Sequence, residues 1–373
     1  MRVRNLDWTA FRLPFRGEFA TAHTTFSHRE GVIVRLTTDV GIVGLGEASP
    51  LPRDGKGALQ EVLALLASAK TALIGKRVDE IESALRWPGR DRCAAAAVCC
   101  ALDTAVCDAL AKVAGISVAE FLAPCVSRSV VVNATVGASS TTDACKAALQ
   151  ARAASFACVK LKVGMTQNME EEYERVANVR AALGPQMKLR LDANGAWGVE
   201  QAIRTIQALA ACSLEFVEQP VRPGDLESMR RVREAVSTPI AADEDITDLD
   251  AAQHVLQLGA AQILVLKPMV IGGLRPARRI VERAQAAGAA VVVTTTLDAG
   301  VGAVAALHLA ATLPQDSPAC GLATGDLLAS DLLVRPLAVN DGRMQLPERP
   351  GLGVELDVAK LQSYSGDKEG ALR

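Results

Sequence analysis

Aromatic residues and histidines are scarce in this chain, and their scarcity excludes several classes of partner. Of its 373 residues only 3% are aromatic and four are histidines. A surface for single-stranded nucleic acid needs aromatic side chains on which bases stack. The formal net charge of −2 gives no general attraction to phosphates or to anionic lipids. We therefore expect no nucleic-acid partner and no membrane partner.

The nine cysteines have neither the spacing of a metal site nor that of a disulfide framework. They include no C-x-x-C pair and no Cys/His cluster at zinc spacing. An odd number of cysteines fits a reducing compartment. We expect structural thiols and a cytoplasmic protein.

Long apolar runs and a targeting segment are also missing. No uninterrupted apolar run approaches the ~18 residues of a membrane span. The first fifteen residues alternate polar and apolar side chains, so we expect no signal peptide. The chain is 50% hydrophobic and 22% charged, as is typical of globular proteins, and it exceeds one average domain in length.

Two lysines lie two residues apart within the apolar run 159–164. In a strand, Lys160 and Lys162 project to the same side, because side chains alternate faces with period 2. Burying like charges together is unfavourable and depresses lysine pKa values, which is useful where a neutral amine must accept a proton. We interpret Lys162 as a general base and Lys160 as the neighbour that tunes it.

Four later apolar stretches each end in a charged residue, and these residues are Asp192, Glu218, Asp243 and Lys267. The intervals, counted from Lys162, are 30, 26, 25 and 24 residues, one βα unit per step. In a barrel the strand ends share one face, so the five side chains would ring one mouth. Three carboxylates suit a hard cation such as Mg²⁺, or Mn²⁺, that holds a substrate oxyanion. We predict a metal triad, with lysines at opposite faces of a small carboxylate substrate.

These motifs resemble those of the enolase superfamily, in particular its muconate lactonizing subgroup. The motifs are Lys160-Leu161-Lys162, Asp192-Ala193-Asn194-Gly195, Glu218-Gln219-Pro220, Ala242-Asp243-Glu244 and Leu266-Lys267-Pro268. The resemblance implies a Mg²⁺-dependent enzyme that removes a proton α to a carboxylate and forms an enediolate. It also implies an α/β fold, a (β/α)7β-type TIM barrel with an N-terminal α+β capping domain.

The order of predicted elements gives the domain boundaries. Three strands and then three helices, the last running from an N-cap at Asp91 to Gly115, predict the capping domain over 1–125. Alternating strands and helices predict the barrel over 126–325, with eight strands of which the last, 320–322, is weak.

Two connecting segments carry further expectations. Residues 15–27 have few apolar anchors and predict either a lid over the mouth or an ordinary surface loop. Residues 326–373 contain a predicted hairpin near 337–346, which by the resemblance returns to the capping domain, and a frayed tail.

Other polar residues are predicted to line the mouth. Asn194 and Glu244 are expected to orient the ligands and the lysines. Further contacts to substrate are predicted at Thr135, Thr294, Thr296, Asp298, Thr324 and His23.

The shared residues predict proton abstraction but leave the following step open. The Gly-Leu-x-Thr-Gly pattern at 321–325 looks like that of many o-succinylbenzoate synthases, so we favour this dehydration of menaquinone biosynthesis. The stretch 294–298 also resembles the synthases, although Asp298 stands where Glu is commoner. N-acylamino acid racemase, dipeptide epimerase and muconate-type cycloisomerase remain alternatives. Dipeptide epimerases typically carry an Asp-x-Asp to hold an ammonium group, and here only Asp326 is present.

Two hypotheses from other functional classes are less well supported by the sequence. A Schiff-base aldolase would also place a lysine at a barrel strand end, but it would not need three carboxylates. A non-catalytic barrel would have no reason to retain both lysines and all three acids. The oligomeric state stays open, and a homo-oligomer is compatible with the sequence.

Overall fold

The structure is a computed structural model that describes residues 1–20, 25–51, 58–81, 91–166 and 168–365. The predicted contact residue His23 lies outside the described residues, as does most of the predicted helix over 78–86. Within the described part, residues 78–80 form a single turn of 3-10 helix.

A three-stranded antiparallel sheet opens the chain. Its strands, in spatial order, are β1 (Val3–Ala20), β2 (Thr25–Thr38) and β3 (Val43–Ala48). The first two strands run on into the predicted loop 15–27, with Phe19 opposite Phe26 and Ala20 opposite Thr25. The alternative of an ordinary surface loop is therefore wrong for the described residues of this segment, and the lid stays a prediction. Once the register is set nearer the sheet centre, each further antiparallel pair adds backbone hydrogen bonds, so the ladder continues beyond the irregularity after Pro14.

Three helices follow, and the second of them packs on the sheet. Their bounds are α1 (Leu59–Leu73), α2 (Arg92–Ala114) and α3 (Val118–Leu122). The predicted ends of α2 are confirmed, because Asp91 accepts from the Ala94 N–H at 2.8 Å and Gly115 adopts the left-handed conformation with φ 69°. A Cβ at Gly46 would lie 1.9 Å from the Ala101 carbonyl oxygen, so glycine permits the close approach of β3 to α2.

By length and composition alone α2 could cross a membrane. It is the one such helix among the described residues, and 72% of its most apolar window is buried inside the protein. The expectation concerned uninterrupted apolar runs, and Asp103 and Asp108 interrupt the apolar stretch of α2.

The barrel sheet contains seven parallel strands, which neighbour one another in chain order. A short strand, β4 (Ser129–Val131), precedes this sheet and lies outside it. The seven strands of the sheet are β5 (Ala134–Val136), β6 (Cys158–Lys162), β7 (Lys188–Asp192), β8 (Leu214–Glu218), β9 (Ile240–Ala242), β10 (Ile263–Leu266) and β11 (Ala290–Val293). The helices are α4 (Thr141–Ala153), α5 (Met169–Leu183), α6 (Val199–Ala208), α7 (Leu226–Ala235), α8 (Leu249–Leu258), α9 (Pro268–Ile271), α10 (Leu274–Ala286) and α11 (Gly300–Ala310).

The eighth strand position is occupied by two parallel bridges. Cys320 pairs with Val132, and Gly321 pairs with Thr294. The Gly321 N–H donates to the Val293 carbonyl at 2.9 Å, which joins the last strand position to β11 and closes the ring. The fold is a (β/α)7β-type TIM barrel with an N-terminal α+β capping domain.

The C-terminal hairpin packs elsewhere than expected. Its strands β12 (Val339–Asn340) and β13 (Arg343–Gln345) pair with β4 at the foot of the barrel, so the expected return of the hairpin to the capping domain is wrong. The edge of β4 offers unpaired backbone groups that the hairpin satisfies. The chain returns to the capping domain later, where the Gly351 N–H donates to the Ile116 carbonyl at 2.8 Å. A final helix, α12, spans Val358–Tyr364.

An apolar layer fills the barrel beneath its mouth. It consists of the buried residues Phe216, Ala241, Ile263, Val265 and Val292. Since residues two apart in a strand face the same side, Phe216 lies one layer below Glu218. The guanidinium of Arg190, 4.4 Å from the Phe216 ring, occupies the same layer below Asp192. These side chains therefore fill the interior of the barrel directly beneath its mouth.

Candidate active site

The parallel register of the barrel gathers the predicted acids. Lys162 is the register partner of Asp192 in β7, and Asp192 is the partner of Glu218 in β8. Glu218 pairs with Ala241, two residues before Asp243. All three carboxylates are at least 96% buried. The expectation that consecutive strand ends would bring these side chains together is confirmed.

The lysine pair of β6 binds this carboxylate group. The Lys160 Nζ lies 2.9 Å from Asp192 Oδ2 and 3.0 Å from Glu218 Oε1. The Lys162 Nζ lies 2.6 Å from the same Asp192 oxygen and donates to Asn194 Oδ1 at 2.7 Å. Both lysines therefore face one side of the strand, as the period of 2 predicted.

The charge balance of the site decides the protonation of Lys160. Burial opposes its ammonium form, but Asp192, Glu218 and Asp243 outweigh burial and raise the Lys160 pKa. Burial likewise opposes ionisation of Asp192, and the two lysines outweigh it and lower the Asp192 pKa. The neighbouring carboxylates, rather than the like charge of the second lysine, thus dominate the environment of Lys160.

The carboxylates exceed the ammonium groups at the mouth. Glu218 is buried beside Asp192, and these two causes raise its pKa to about 8. Burial and the charge of Asp243 raise the Glu244 pKa to about 7. A further positive charge would therefore stabilise the ionised form of the set.

Lys267 approaches from the other side of the ring. It follows β10 directly, and its Nζ lies 2.6 Å from Asp243 Oδ2. Burial disfavours its charged form, but Asp243 and Glu244 outweigh burial and raise the Lys267 pKa. Since β6 and β10 hold the second and sixth of eight strand positions, Lys162 and Lys267 stand on opposite sides of the barrel.

Two carboxylate oxygens at the mouth have no hydrogen-bond partner among the described residues. They are Asp243 Oδ1 and Glu244 Oε2, both fully enclosed. The same described residues contain no group of three or more His, Cys, Asp or Glu side chains arranged to hold a metal ion. Lys160 lies between Asp192 and Glu218, and Lys267 binds Asp243, so ammonium groups occupy oxygens that the predicted triad would offer to a cation.

A network of amides orients the acids. Asn194 accepts from Lys162 and donates to Glu244 Oε1 at 2.9 Å, as expected for an orienting group. Gln219, to which the sequence analysis gave no role, accepts from the Asp243 N–H at 3.0 Å and donates to Asp245 Oδ2 at 2.8 Å. Its position directly after Glu218 was the signal that could have identified it.

A buried ion pair behind β6 was also missed. Arg175 donates to Glu172 Oε2 at 2.7 Å, to the Lys162 carbonyl at 2.8 Å and to the Ala138 carbonyl at 3.0 Å. Glu172 in turn accepts from the Gly164 N–H at 2.7 Å. The pair fixes the backbone on both sides of the point where Lys162 emerges. An Arg three residues after a Glu in a helix is too common a pattern to indicate this role.

The predicted substrate contacts fall into a buried and an accessible group. Thr294 donates to the Gly321 carbonyl at 2.9 Å, and Thr296 donates to Asp298, so these three buried residues bind protein groups. Thr324 is partly exposed and shares a 2.9 Å hydrogen bond with the Thr295 hydroxyl. Thr135 is exposed and is the register partner of Lys160.

Comparison with known families covers most of the chain. Residues 7–123 match the family described as mandelate racemase / muconate lactonizing enzyme, N-terminal domain. Residues 143–360 match the family described as enolase C-terminal domain-like.

Curated relatives have several different activities. The chain is 29% identical to the L-Ala-D/L-Glu epimerase of Bacillus subtilis (strain 168), over 99% of this chain and 100% of that protein. It is 38% identical to the o-succinylbenzoate synthase of Thermobifida fusca (strain YX), over 63% of this chain and 74% of that protein. These relatives agree in superfamily and differ in reaction.

Solved structures share the whole architecture. The muconate lactonizing enzyme of Pseudomonas fluorescens complexed with muconolactone has a TM-score of 0.89 at 26% identity, covering 97% of this chain and 99% of that chain. The dipeptide epimerase of Enterococcus faecalis V583 complexed with Mg and the dipeptide L-Leu-L-Tyr has a TM-score of 0.88 at 28% identity, covering 95% and 100%. This chain belongs to the muconate lactonizing subgroup of the enolase superfamily.

Proposed function

We propose that this protein removes the proton α to the carboxylate of a small-molecule substrate, with Mg²⁺ as cofactor, and forms an enediolate. The observation that carries the proposal is the pair of opposed lysines. Lys162 and Lys267 stand on opposite sides of the barrel, and each ammonium lies 2.6 Å from an aspartate. A substrate between them would present its α-carbon to one amine on each face.

The donor chemistry of the mouth fits the proposed metal. Asp192, Glu218 and Asp243 supply only hard oxygen ligands, which Mg²⁺ prefers and Mn²⁺ accepts. The unpartnered Asp243 Oδ1 and the raised pKa of Glu218 both indicate that this carboxylate group can accommodate an additional cation. Bound Mg²⁺ would supply the positive charge that stabilises a substrate carboxylate as it gains negative charge.

The chain's own residues divide the remaining work. Lys162 first releases its ammonium proton to solvent and then takes the α-proton at the neutral Nζ, while Asn194 holds that amine in place through its 2.7 Å hydrogen bond. Lys267 stays charged on the opposite face and stabilises the developing anion. The apolar layer around Phe216 closes the site from below and excludes water there.

For the overall reaction we propose o-succinylbenzoate synthesis, a dehydration in which the bond between the β-carbon and its hydroxyl breaks and the protonated Lys162 gives its proton to the departing oxygen, which leaves as water. The support lies at the rim, where the accessible groups are hydroxyls such as Thr324 and Thr135. Asp326 is exposed in a 3-10 turn, and Asp298 is buried on Thr296, so neither supports binding of a substrate ammonium as in a dipeptide epimerase. The rim hydroxyls suit a substrate whose far end carries hydrogen-bonding oxygens. Cytoplasmic placement is proposed with it, supported by the free, buried thiols of Cys100, Cys107, Cys158, Cys212 and Cys320.

N-acylamino acid racemisation is the second candidate, and the two-lysine geometry favours it as well. If both lysines exchange protons with the α-carbon, the same site interconverts enantiomers, whereas dehydration needs one base and one lasting cation. Muconate-type cycloisomerisation shares the site, but no single contact favours it.

Proton exchange in D2O separates these candidates. The wild type, Lys162→Ala and Lys267→Ala would be incubated with each enantiomer of an N-acylamino acid and, separately, with the cyclohexadiene substrate of the synthase. For dehydration we expect turnover to fall by about 100-fold or more in Lys162→Ala, because the general base is lost. Lys188→Ala is the matched control, since Lys188 is an exposed lysine paired with Glu215 at the other end of β7.

Each outcome has a defined meaning. Loss of exchange for one enantiomer in each lysine variant would favour the racemase. Efficient dehydration without exchange of the N-acylamino acid would favour a dedicated synthase. Unchanged dehydration in Lys162→Ala would refute Lys162 as the base, and activity with neither substrate in the wild type would refute both assignments.

A further inference from the structure

A glutamate of the capping domain caps a helix of the barrel. Glu47, near the end of β3, accepts from the Ala299 N–H at 2.8 Å through Oε1 and from the Gly302 N–H at 2.7 Å through Oε2. These N–H groups belong to the first turn of α11, whose own N-cap residue, Ala299, offers no side chain to bind them. The carboxylate also faces the positive end of the helix dipole. The first turn of α11 is therefore satisfied from another domain.

An arginine of the capping domain binds the backbone just before α11. Arg29, in β2, is 2% exposed, and its Nε donates to the Leu297 carbonyl at 3.1 Å. The same guanidinium donates to the Pro50 carbonyl at 2.7 Å and to the Ser49 carbonyl, so it joins the barrel to the segment that follows β3. Leu297 has φ 62°, a left-handed conformation that a leucine keeps only where its surroundings hold it.

This arrangement is costly compared with a local cap. Burial and the nearby charge of Asp298 raise the Glu47 pKa to about 7. A Ser, Thr, Asp or Asn at position 299 would satisfy the Gly302 N–H without burying a remote carboxylate there, and only the Ala299 N–H would need another acceptor. Stability of α11 alone therefore does not account for Glu47. What Glu47 adds is a fixed distance between the capping domain and the segment 294–299.

That segment borders the proposed substrate site. The Thr295 hydroxyl of this segment shares a hydrogen bond with the Thr324 hydroxyl at the rim. The carboxylate of Asp298 lies close enough to Lys267 for the two charges to interact. We propose that Glu47 and Arg29 are positioning residues through which the capping domain sets the segment 294–299, and with it the fit of the substrate end remote from the carboxylate. The inference rests on the proposed function for the location of the substrate.

Glu47→Gln tests the inference with two independent measurements. The neutral amide turns its NH2 group against an N–H of Ala299 or Gly302, so one hydrogen bond is lost at constant size. Backbone amides of residues 294–305 should exchange with deuterium at least about tenfold faster, and KM should rise about tenfold while kcat changes less than about threefold. The KM change should differ between substrates with different acyl groups, which a general loss of stability would not produce.

Two further variants make the test specific. Glu30→Gln is the matched control, because Glu30 lies in β2 next to Arg29 but pairs with Arg12 and His28 near the surface. It should leave amide exchange at 294–305 and KM unchanged. Arg29→Lys keeps the charge but loses the fork that binds several carbonyls, and it should shift both measurements in the same direction as Glu47→Gln.

The outcomes separate this inference from the proposed function. Amide exchange and KM in Glu47→Gln equal to those of Glu30→Gln would overturn the positioning role. A fall in kcat with unchanged KM would also overturn it, because the effect would then lie in the chemical step. If the wild type turns over no proposed substrate, the proposed function fails, yet amide exchange in Glu47→Gln and Arg29→Lys still decides whether the capping domain holds the segment.

Discussion

At the scale of single residues, the mouth of the barrel holds four carboxylates and three ammonium groups. The acids are Asp192, Glu218, Asp243 and Glu244, and the bases are Lys160, Lys162 and Lys267. Burial, together with the charge of Asp192 or Asp243, raises the pKa of Glu218 and of Glu244. Such an excess of carboxylates does not stabilise the fold, but it favours the binding of a cation.

The carboxylates lead to the prediction of metal dependence. Activity should vanish with EDTA and return with Mg²⁺ or Mn²⁺, and Asp192→Asn, Glu218→Gln and Asp243→Asn should each lower kcat/KM by about 100-fold or more. Metal that binds only the folded protein should also raise the melting temperature of the wild type, by the equivalent of about 2.7 kcal/mol at 100 times Kd, but not that of the variants. Calorimetry and steady-state kinetics measure both effects.

Glu200→Gln serves as the control, because Glu200 is an exposed acid paired with Arg231 on the outside of the barrel. Its activity and its response to Mg²⁺ should match those of the wild type. Full activity after exhaustive chelation would eliminate the triad.

At the scale of elements, the ion pair of α5 fixes the end of β6. Arg175 and Glu172 are almost fully buried, and between them they bind the Lys162 carbonyl and the Gly164 N–H. A lysine side chain has four rotatable bonds, so the precision of its Nζ depends on the backbone from which it starts. The helix behind the strand therefore contributes to the accuracy of the proposed base.

Removing one member of this pair should destabilise the protein. Arg175→Met leaves Glu172 as a buried charge without its partner, which typically costs about 3–5 kcal/mol. The double variant Arg175→Met, Glu172→Met removes both charges and should recover most of that stability, while kcat stays about tenfold or more below the wild type because the strand end has lost its anchors. Urea unfolding and kcat measure the two effects separately.

An exposed pair provides the comparison. Arg231→Met breaks the surface contact with Glu200 at 3.1 Å and should change stability by less than about 1 kcal/mol. Recovery of full kcat in the double variant would show that the pair acts only on stability.

At the scale of the whole molecule, one histidine joins three distant segments. The buried His308 of α11 accepts from the Ala119 N–H of α3 at 3.1 Å through Nδ1. Its Nε2 therefore carries the proton and donates to the Leu352 carbonyl at 3.1 Å. Barrel, capping domain and C-terminal segment meet at this ring, and a protonated Nδ1 would lose the bond to Ala119.

Stability should therefore fall in mild acid. Burial lowers the His308 pKa from its usual 6.5 to about 4, against the hydrogen bond to the Leu352 carbonyl and the charge of Glu120, which act to raise it. Between these values the unfolded chain binds a proton that the folded chain does not, so this stabilisation is complete above pH 6.5 and is lost as the pH falls toward 4, by up to about 3 kcal/mol.

His308→Gln isolates this effect, because glutamine can accept and donate like the neutral ring but does not titrate. The difference in unfolding free energy between wild type and variant should shrink or reverse from pH 7 to pH 4.5. Parallel pH profiles for the two proteins would contradict the assignment.

Local stretches of sequence specify the helices and strands and which side chains share a face on them. Alternation with period 2 put Lys160 and Lys162 on one face, and the spacing of the strand-end acids gave the barrel and its mouth. The carboxylate at Asp91 and the glycine at Gly115 marked the ends of α2. These features depend on local backbone geometry, so a single stretch of sequence contains the information.

Which distant groups meet depends on tertiary packing. Glu47 and Gly302 are 255 residues apart, and nothing near either of them indicates a helix cap. The C-terminal hairpin pairs with the edge of β4, and the bridges at Cys320 and Gly321 complete the ring of strands. Lys160 binds two carboxylates from neighbouring strands. Hydrogen bonds between remote segments follow from how whole elements pack to bury apolar surface, and a buried polar group then takes the partner that this packing brings within reach.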